Sequence, residues 1–465
     1  MTSITSCLTR LSHVMASVTL LSVGILAGPL LNAVPVGATT YYVATSGNDS
    51  ANGSSESPWR TWQKAANTMV AGDTTIVRDG TYEEDHVVFS TSGTPSNPIT
   101  LEAEHRWLAK LESISGGEPA IYIQASYITI KDVRIGVSAK NVRPAGYTSK
   151  NGSGFCWPQR QPTPSSPSSG YVGCRFTGIL IDATPDRDTG IKSAQDFSII
   201  ENSVIHNEVE LFKNQESIVR NNTIDTGGPN GTYLVNKGGV RNAKIYNNIV
   251  HMNRGGAVGI YAGGCTGDAF FFDTAAKIES YNLAIFNNVV LAESSGNTAL
   301  TFRSDSNSTF FNNVIIGDMN PLNMTRSCAT SAPANMNPTV LNTIFKGTGT
   351  TAVTGGLTAF TGTKMINYNN FFGYRSGVPS QANAITGDPL FVDQASDWHI
   401  QAGSPAIKTG TAVTPLLYGG GMHTNVMVTY DGRDRTIPWD LGIYATNSVA
   451  SDTTPPSRPI IVSVK

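Results

Sequence analysis

A short block of apolar residues around an asparagine pair returns along this chain, and that repeat limits its fold more than any other feature. It reads Ile200-Glu201-Asn202-Ser203-Val204-Ile205, Arg220-Asn221-Asn222-Thr223-Ile224, Ile245-Tyr246-Asn247-Asn248-Ile249-Val250, Ile285-Phe286-Asn287-Asn288-Val289-Val290, Phe310-Phe311-Asn312-Asn313-Val314-Ile315 and Asn367-Tyr368-Asn369-Asn370-Phe371-Phe372. Val340-Leu341-Asn342-Thr343-Ile344-Phe345 is a degenerate copy. The leading asparagine falls at 202, 221, 247, 287, 312, 342 and 369, in steps of 19 to 40 residues. Such a period marks a solenoid, in which each coil buries its apolar face only against its neighbours. Solenoids escape the usual size rule, so the 465 residues are expected to hold one β-solenoid domain.

The block also states how a coil turns. Apolar residues on either side of the asparagines point into a continuous core, while asparagine tolerates the left-handed backbone of a corner between two strands. Stacked in successive coils, the amides can hydrogen-bond up and down as a ladder. A second polar column lies five residues earlier, at Glu216, Asn242, Asn282 and Asn307 with Asp196 close to register, and marks the preceding corner. β-Branched residues outnumber strong helix formers over most of the chain, an all-β composition. With 32 basic against 34 acidic residues and 14% charged overall, there is no basic footprint for nucleic acid.

A solenoid must cover its open ends, because an exposed coil is an unpaired sheet edge. A helix starting at Ser57 and Pro58 and stopped by Gly72 would place Trp59, Trp62, Ala65, Ala66 and Met69 on one face as an N-terminal cap, its tryptophans packed in the core. Pro438 to Tyr444 reads as a last strand, and 447–465 as a Pro/Thr/Ser-rich linker or tail. At the other end, Arg10, the apolar run from Val18 to Val34 and the small residues Val36-Gly37-Ala38 read as a signal peptide over 1–38. Gly28-Pro29 interrupts that run, which is shorter than the ~20 apolar residues of a spanning helix. The expected product is a secreted, monomeric β-helix over 39–446, with no stable membrane span after signal removal. It keeps Cys156, Cys174, Cys265 and Cys328, an even number in an exported protein. Cys156 with Cys174 would close a local loop and Cys265 with Cys328 would join two insertions; three pairings remain open.

The stretch Tyr41-Tyr42-Val43-Ala44-Thr45-Ser46-Gly47-Asn48-Asp49, then Ser57-Pro58-Trp59-Arg60-Thr61, Ala71-Gly72-Asp73-Thr74 and Asp79-Gly80-Thr81-Tyr82, resembles the start of secreted pectate-lyase-like β-helix proteins. Gly387-Asp388-Pro389-Leu390-Phe391-Val392-Asp393 and Ala402-Gly403-Ser404-Pro405-Ala406-Ile407 look like the C-terminal coils of that superfamily. The resemblance covers roughly Tyr41 to Ala445 and implies a right-handed parallel β-helix. It says little of substrate, since one such scaffold hosts lyases, hydrolases, epimerases and adhesins.

Counting back from the asparagines exposes a basic column, Lys192, Lys237 and Lys277 with Arg303 and Lys213 nearly in phase. Coils about 4.8 Å apart would make this a positive stripe, suited to an acidic polysaccharide lying along the stack; a solvated lysine row at strand ends is the plainer alternative. The segment Glu208-Val209-Glu210-Leu211-Phe212-Lys213, followed one coil later by Lys237-Gly238-Gly239-Val240-Arg241, is similar to the chondroitinase B and alginate lyase family. That resemblance implies Lys213 as the base, Lys237 or Arg241 as the assisting cation, and Ca2+ held by Glu208 and Glu210. The chain has Lys237-Gly238 where the family carries an Arg-His-Gly run.

Elimination across a uronic acid needs its carboxylate neutralised, the C5 proton removed and the leaving O4 protonated. Lysine serves as the base when its pKa is depressed, and Lys237, Arg241 and Arg220 are expected to depress Lys213 by repulsion. Arg241, Arg254 or the calcium would neutralise the carboxylate, and Lys192, Lys277 and Arg303 would bind the chain. A hydrolase would need two carboxylates on one face, for which Asp182, Asp186 and Asp188 are candidates. A third reading is a non-catalytic adhesion module, with Tyr147, Phe155 and Trp157 of the 141–171 insertion stacking sugars, or that insertion serving only as a stapled loop.

Overall fold

A computed structural model describes residues 37–445, apart from 115–118, 138–153, 157–169, 183–189, 226–230, 326–332, 350, 356–359, 363–364, 414–428, 432, 434 and 436–437. The signal segment, the 447–465 tail, Asp186, Asp188, Cys328, Tyr147 and Trp157 therefore lie outside the described residues.

The chain is a right-handed parallel β-helix. Each coil contributes one strand to a twelve-stranded sheet, here sheet A, running from Thr40–Val43 to Met365–Asn367. From sheet A the chain turns into a second strand, limb B, then a third, limb C, before returning. Limbs B and C join into one 19-stranded sheet, because Val289–Arg303 and Val314–Thr325 run through both with a shifted register at Ala292. Inward residues of all three faces are closed from solvent, as at Ile245, Val250 and Ile260 on one coil.

The asparagine pair does two different jobs. The leading member turns the corner with positive φ: Asn202 55°, Asn221 56°, Asn247 56°, Asn287 53°, Asn312 55° and Asn342 51°. The second member points inward and builds the ladder. Nδ2 of Asn222 donates to Oδ1 of Asn248 at 3.0 Å, Asn248 to Asn288 at 2.9 Å and Asn288 to Asn313 at 3.1 Å. In the last block the phase moves by one, since Leu341 pairs with Asn367. Tyr368, with φ 53°, holds the corner there, and Asn369 is the buried member. The column five residues earlier is a second ladder, in which Asn242 donates to Glu216 at 2.8 Å, Asn282 to Asn242 at 3.2 Å and Asn307 to Asn282 at 3.4 Å.

Both ends differ in detail from expectation. The helix spans Trp62–Thr68 with Thr61 as N-cap. It begins later than Ser57 because Trp59 pairs as a strand with Tyr42 and Ala44 and Asp49 accepts the amides of Arg60 and Thr61. Trp59, Trp62, Ala65, Ala66 and Met69 do pack in the core. Pro438 to Tyr444 forms no strand; it lies against the outside of the stack, burying Trp439 beside Phe286 and Phe311 and Leu441 and Ile443 beside Val314 and Ile344. The 141–171 insertion contributes a strand, Gly154–Cys156, between Ile121–Ile123 and Ile191–Ser193 on limb C. Among the described residues no helix is long and apolar enough to cross a membrane.

Candidate active site

Four neighbouring strands of limb C carry most of the expected site: Ile191–Ser193, Val209–Phe212, Thr232–Lys237 and Val258–Gly263. Ile191, Val209, Leu234 and Ile260 point inward, so the alternation of a strand sends Lys192, Glu210 and Tyr261 outward. Lys192 pairs in register with Glu210, and Phe212 with Lys237. The lysines therefore close on one carboxylate from the coils on either side: Lys192 Nζ is 2.9 Å from Glu210 Oε1 and Lys237 Nζ 3.2 Å from Oε2. Phe212 is the apolar counterpart, with Lys192 Nζ 4.9 Å and Lys213 Nζ 5.4 Å from its ring centre, within cation–π range. Lys213 turns the corner after the strand, with φ 54° and its amide donating to the Lys237 carbonyl at 3.2 Å. Gly238 and Gly264 make room for this packing: a Cβ at Gly238 would lie 2.6 Å from the Phe212 ring, and one at Gly264 2.6 Å from Lys237 Cβ.

The electrostatics separate these groups. Burial raises the pKa of Glu208 well above the ordinary carboxyl value, and the charge of Glu210 raises it further. Glu208 accepts a hydrogen bond from the Thr232 hydroxyl. Burial also opposes ionisation of Glu210, but Lys192 and Lys237 outweigh it and lower its pKa. Burial likewise works against the charge of Lys237, yet Glu210 and Glu208 prevail and raise it. The pKa of Lys213, unlike that of Lys237, is lowered, by burial and not by repulsion from Lys237, Arg241 or Arg220; its exposure is 5%. The expected mechanism of depression is thus corrected, while its direction stands.

The other expected residues are spread more widely. Arg303 reaches the cluster, 5.8 Å over the Tyr261 ring. Arg241 lies past the corner, sandwiched between Phe272 at 4.6 Å and Tyr281 at 4.3 Å, where it braces the 264–279 loop. Lys277 pairs with Asp268 at 3.2 Å. Arg254 sits on the exposed turn between limbs B and C. The expected stripe is therefore not one column: counting back from the asparagines assumes equal coils, and the 264–279 insertion breaks that phase. Asp182 belongs to limb B, bound to Arg134 at 2.8 Å and Lys110 at 3.3 Å. Cys174 Sγ is 3.7 Å from the Ser193 hydroxyl, and Ser193 is in register with Cys156.

Glu208 and Glu210 do not fit calcium. Ca2+ wants several anionic or carbonyl oxygens, whereas each Glu210 oxygen already faces an ammonium group and burial works against a charge on Glu208. Among the described residues one exposed trio, Asp79, Glu104 and His105, is close enough to share a cation, with His105 Nδ1 3.1 Å from both Asp79 oxygens.

Three contributors were not foreseen. Tyr261, one coil beyond Lys237, has its hydroxyl pKa raised by burial and by Glu208 against the pull of Arg303. Thr232 holds Glu208. Glu279, fully buried, accepts the amides of Gly238 at 2.9 Å and Thr266 at 2.8 Å and fixes the loop beside Lys237. Only spatial pairing identifies them, because insertions separate them from the repeat.

Residues 41–155 match a family model described as the Pel9A-like right handed beta helix region. No curated protein matches the sequence. Among solved structures, pectate lyase Pel9A aligns with a TM-score of 0.52 and 14% identity over 88% of this chain and 97% of that one. The PL6 family alginate lyase AlyGC aligns with a TM-score of 0.44 and 11% identity, over 78% and 55% of the two chains. The GH136 lacto-N-biosidase from Eubacterium ramulus aligns with a TM-score of 0.46 and 10% identity, over 72% and 68%. These likenesses concern the fold.

Proposed function

We propose that the chain is a secreted polysaccharide lyase that cleaves an acidic, uronic-acid-containing polysaccharide by β-elimination on the outer face of limb C. The observation that carries this reading is the division among the lysines. Burial favours the neutral amine of Lys213, while Lys192 and Lys237 are both ion-paired with Glu210 and the pKa of Lys237 is raised. A neutral amine can take the C5 proton, and surplus positive charge draws the uronate carboxylate to the face and stabilises charge developing beside it. As the proton leaves C5, its electron pair forms the C4–C5 double bond and the C4–O4 bond breaks. O4 then takes a proton from Tyr261, whose raised pKa keeps its hydroxyl protonated. Arg303 beside that ring serves the neighbouring sugar.

The hydrolase reading is less well supported. Glu208 and Glu210 are in hydrogen-bonding contact, whereas glycosidase carboxylates stand about 5 Å or more apart. Export and the pairings Cys156–Cys174 and Cys265–Cys328 are part of the same proposal, since an even number of cysteines suits an oxidising compartment.

The test is a panel of pectate, alginate, glucuronan and glycosaminoglycan chains, followed by ultraviolet absorbance of the unsaturated uronyl end. At least one substrate should show rising absorbance that Lys213→Ala abolishes. Binding without any product would leave only the adhesion module.

A further inference from the structure

Limb B carries a cavity of about 360 Å³ that the lysine cluster does not use, within the ~300–1,000 Å³ range of small-ligand sites. Its floor is the outer face of four stacked strands, Thr223–Asp225, Ile249–Met252 and the starts of Val289–Arg303 and Val314–Thr325. Its roof is the antiparallel pair Phe391–Asp393 and Asp397–Ile400. Trp398 of that pair packs with Val289, Val314 and Ile316 and spends its indole N–H on the Gln394 carbonyl at 3.1 Å, so the wall it offers is apolar. The cavity lies where this hairpin stops covering limb B.

Two features of its lining point to a hydroxylated ligand. His251 Nε2 lies 2.8 Å from Glu293 Oε1, a polar edge to the apolar floor of Leu291 and Ile316, which stand in register beside His251. Thr223 is 4% exposed, and its hydroxyl has no hydrogen-bond partner. Buried hydroxyls in folded proteins are nearly always paired, so this one asks for a group from outside the chain. Charge selects the kind of ligand. Among the described residues no lysine or arginine lines the cavity, and the carboxylate there is Glu293, so a uronate finds no counter-charge in this lining.

We propose that this cavity binds one uncharged sugar unit, its C–H face on Leu291, Ile316 and Trp398 and its hydroxyls toward Glu293, His251 and Thr223. The site does not depend on the lyase reading. The unit could be a free oligosaccharide or a neutral branch of the polymer, since the chemistry is shared. The test is calorimetry and saturation-transfer NMR on the full chain with xylotriose, cellotriose and galactotriose. One of them should bind. Ala395→Trp, which fills the cavity, should weaken that binding at least ~10-fold, about 1.4 kcal/mol. Thr223→Val should weaken it several-fold without lowering Tm, because it removes a hydroxyl that has no protein partner, and Lys213→Ala should leave it unchanged. Tighter binding of a neutral-branched polymer than of the free trisaccharide, lost with Ala395→Trp, would identify the branch as the source; equal affinity would identify the free sugar. The proposal is overturned if no neutral trisaccharide binds, or if binding survives both Ala395→Trp and Thr223→Val.

Discussion

Limbs B and C are drawn from the same coils a few residues apart, yet their outer faces carry opposite chemistry. On limb B charges stand in pairs: Lys110 with Glu112 at 2.7 Å, Arg134 with Asp182 at 2.8 Å, His206 with Asp225 at 2.5 Å and His251 with Glu293 at 2.8 Å. On limb C, Lys192 and Lys237 share the carboxylate of Glu210, burial works against a charge on Glu208, and Arg303 adds to the cationic side. The backbone cannot cause this difference, because both limbs stack at the same ~4.8 Å spacing. What differs is which outward positions hold acids. A solenoid thus fixes where side chains project and leaves their chemistry to each face, so one scaffold can hold both a closed ion-pair ladder and a site with surplus charge.

The comparison breaks most readily at Lys213. Lys213→Ala should lower elimination by roughly 10²–10⁴-fold, the usual worth of a general base, while circular dichroism shows the fold intact; a mere surface lysine would change neither. Next in size is Glu210→Ala, which leaves two lysines facing each other in a site where Glu210 is 4% exposed. Removing one partner of such a buried set costs about 3–5 kcal/mol, read as a lower denaturation midpoint. On limb B, Glu293 is 63% exposed, so Glu293→Ala should cost no more than ~1 kcal/mol.

The two ladders offer a finer contrast. Asn248→Ala strips the buried ladder of a donor to Asn288 and to the Val219 carbonyl, at about 1–3 kcal/mol. Asn282→Ala, in the half-buried ladder, should cost less in the same melt.

The smallest effects are in pH dependence. Because burial lowers the Lys213 pKa, kcat/KM should rise with pH and level off below the ordinary lysine pKa of ~10.4. For His206, burial alone would lower the pKa, but the bond to Asp225 prevails and raises it. Its contribution to stability is therefore full below the unfolded histidine value of ~6.5 and fades as pH rises through the folded one. His206→Gln should flatten that part of the stability curve.

The repeat was legible in the sequence because each corner needs a residue that accepts positive φ and each coil needs the same apolar neighbours. Tyr368 escaped that reading, since an aromatic gives no sign that it will take a left-handed corner. Strand alternation likewise made Glu210 an outward residue beside Lys213. That Lys192 and Lys237 would close on it from the coils on either side could not be read, because strand pairing depends on where each insertion begins. The cover over limb B was hidden for another reason: Trp398, Leu441 and Ile443 pack from outside the repeat, where no periodicity predicts a partner.

Elimination at limb C leaves its mark in the mass of the oligosaccharides released from the active polysaccharide, and mass spectrometry reads it. The expected fragments are lighter by one water than hydrolysis products and bear an unsaturated uronyl end, and Lys213→Ala releases none of them. Full-mass saturated fragments, or unsaturated ones still released by Lys213→Ala, would contradict it.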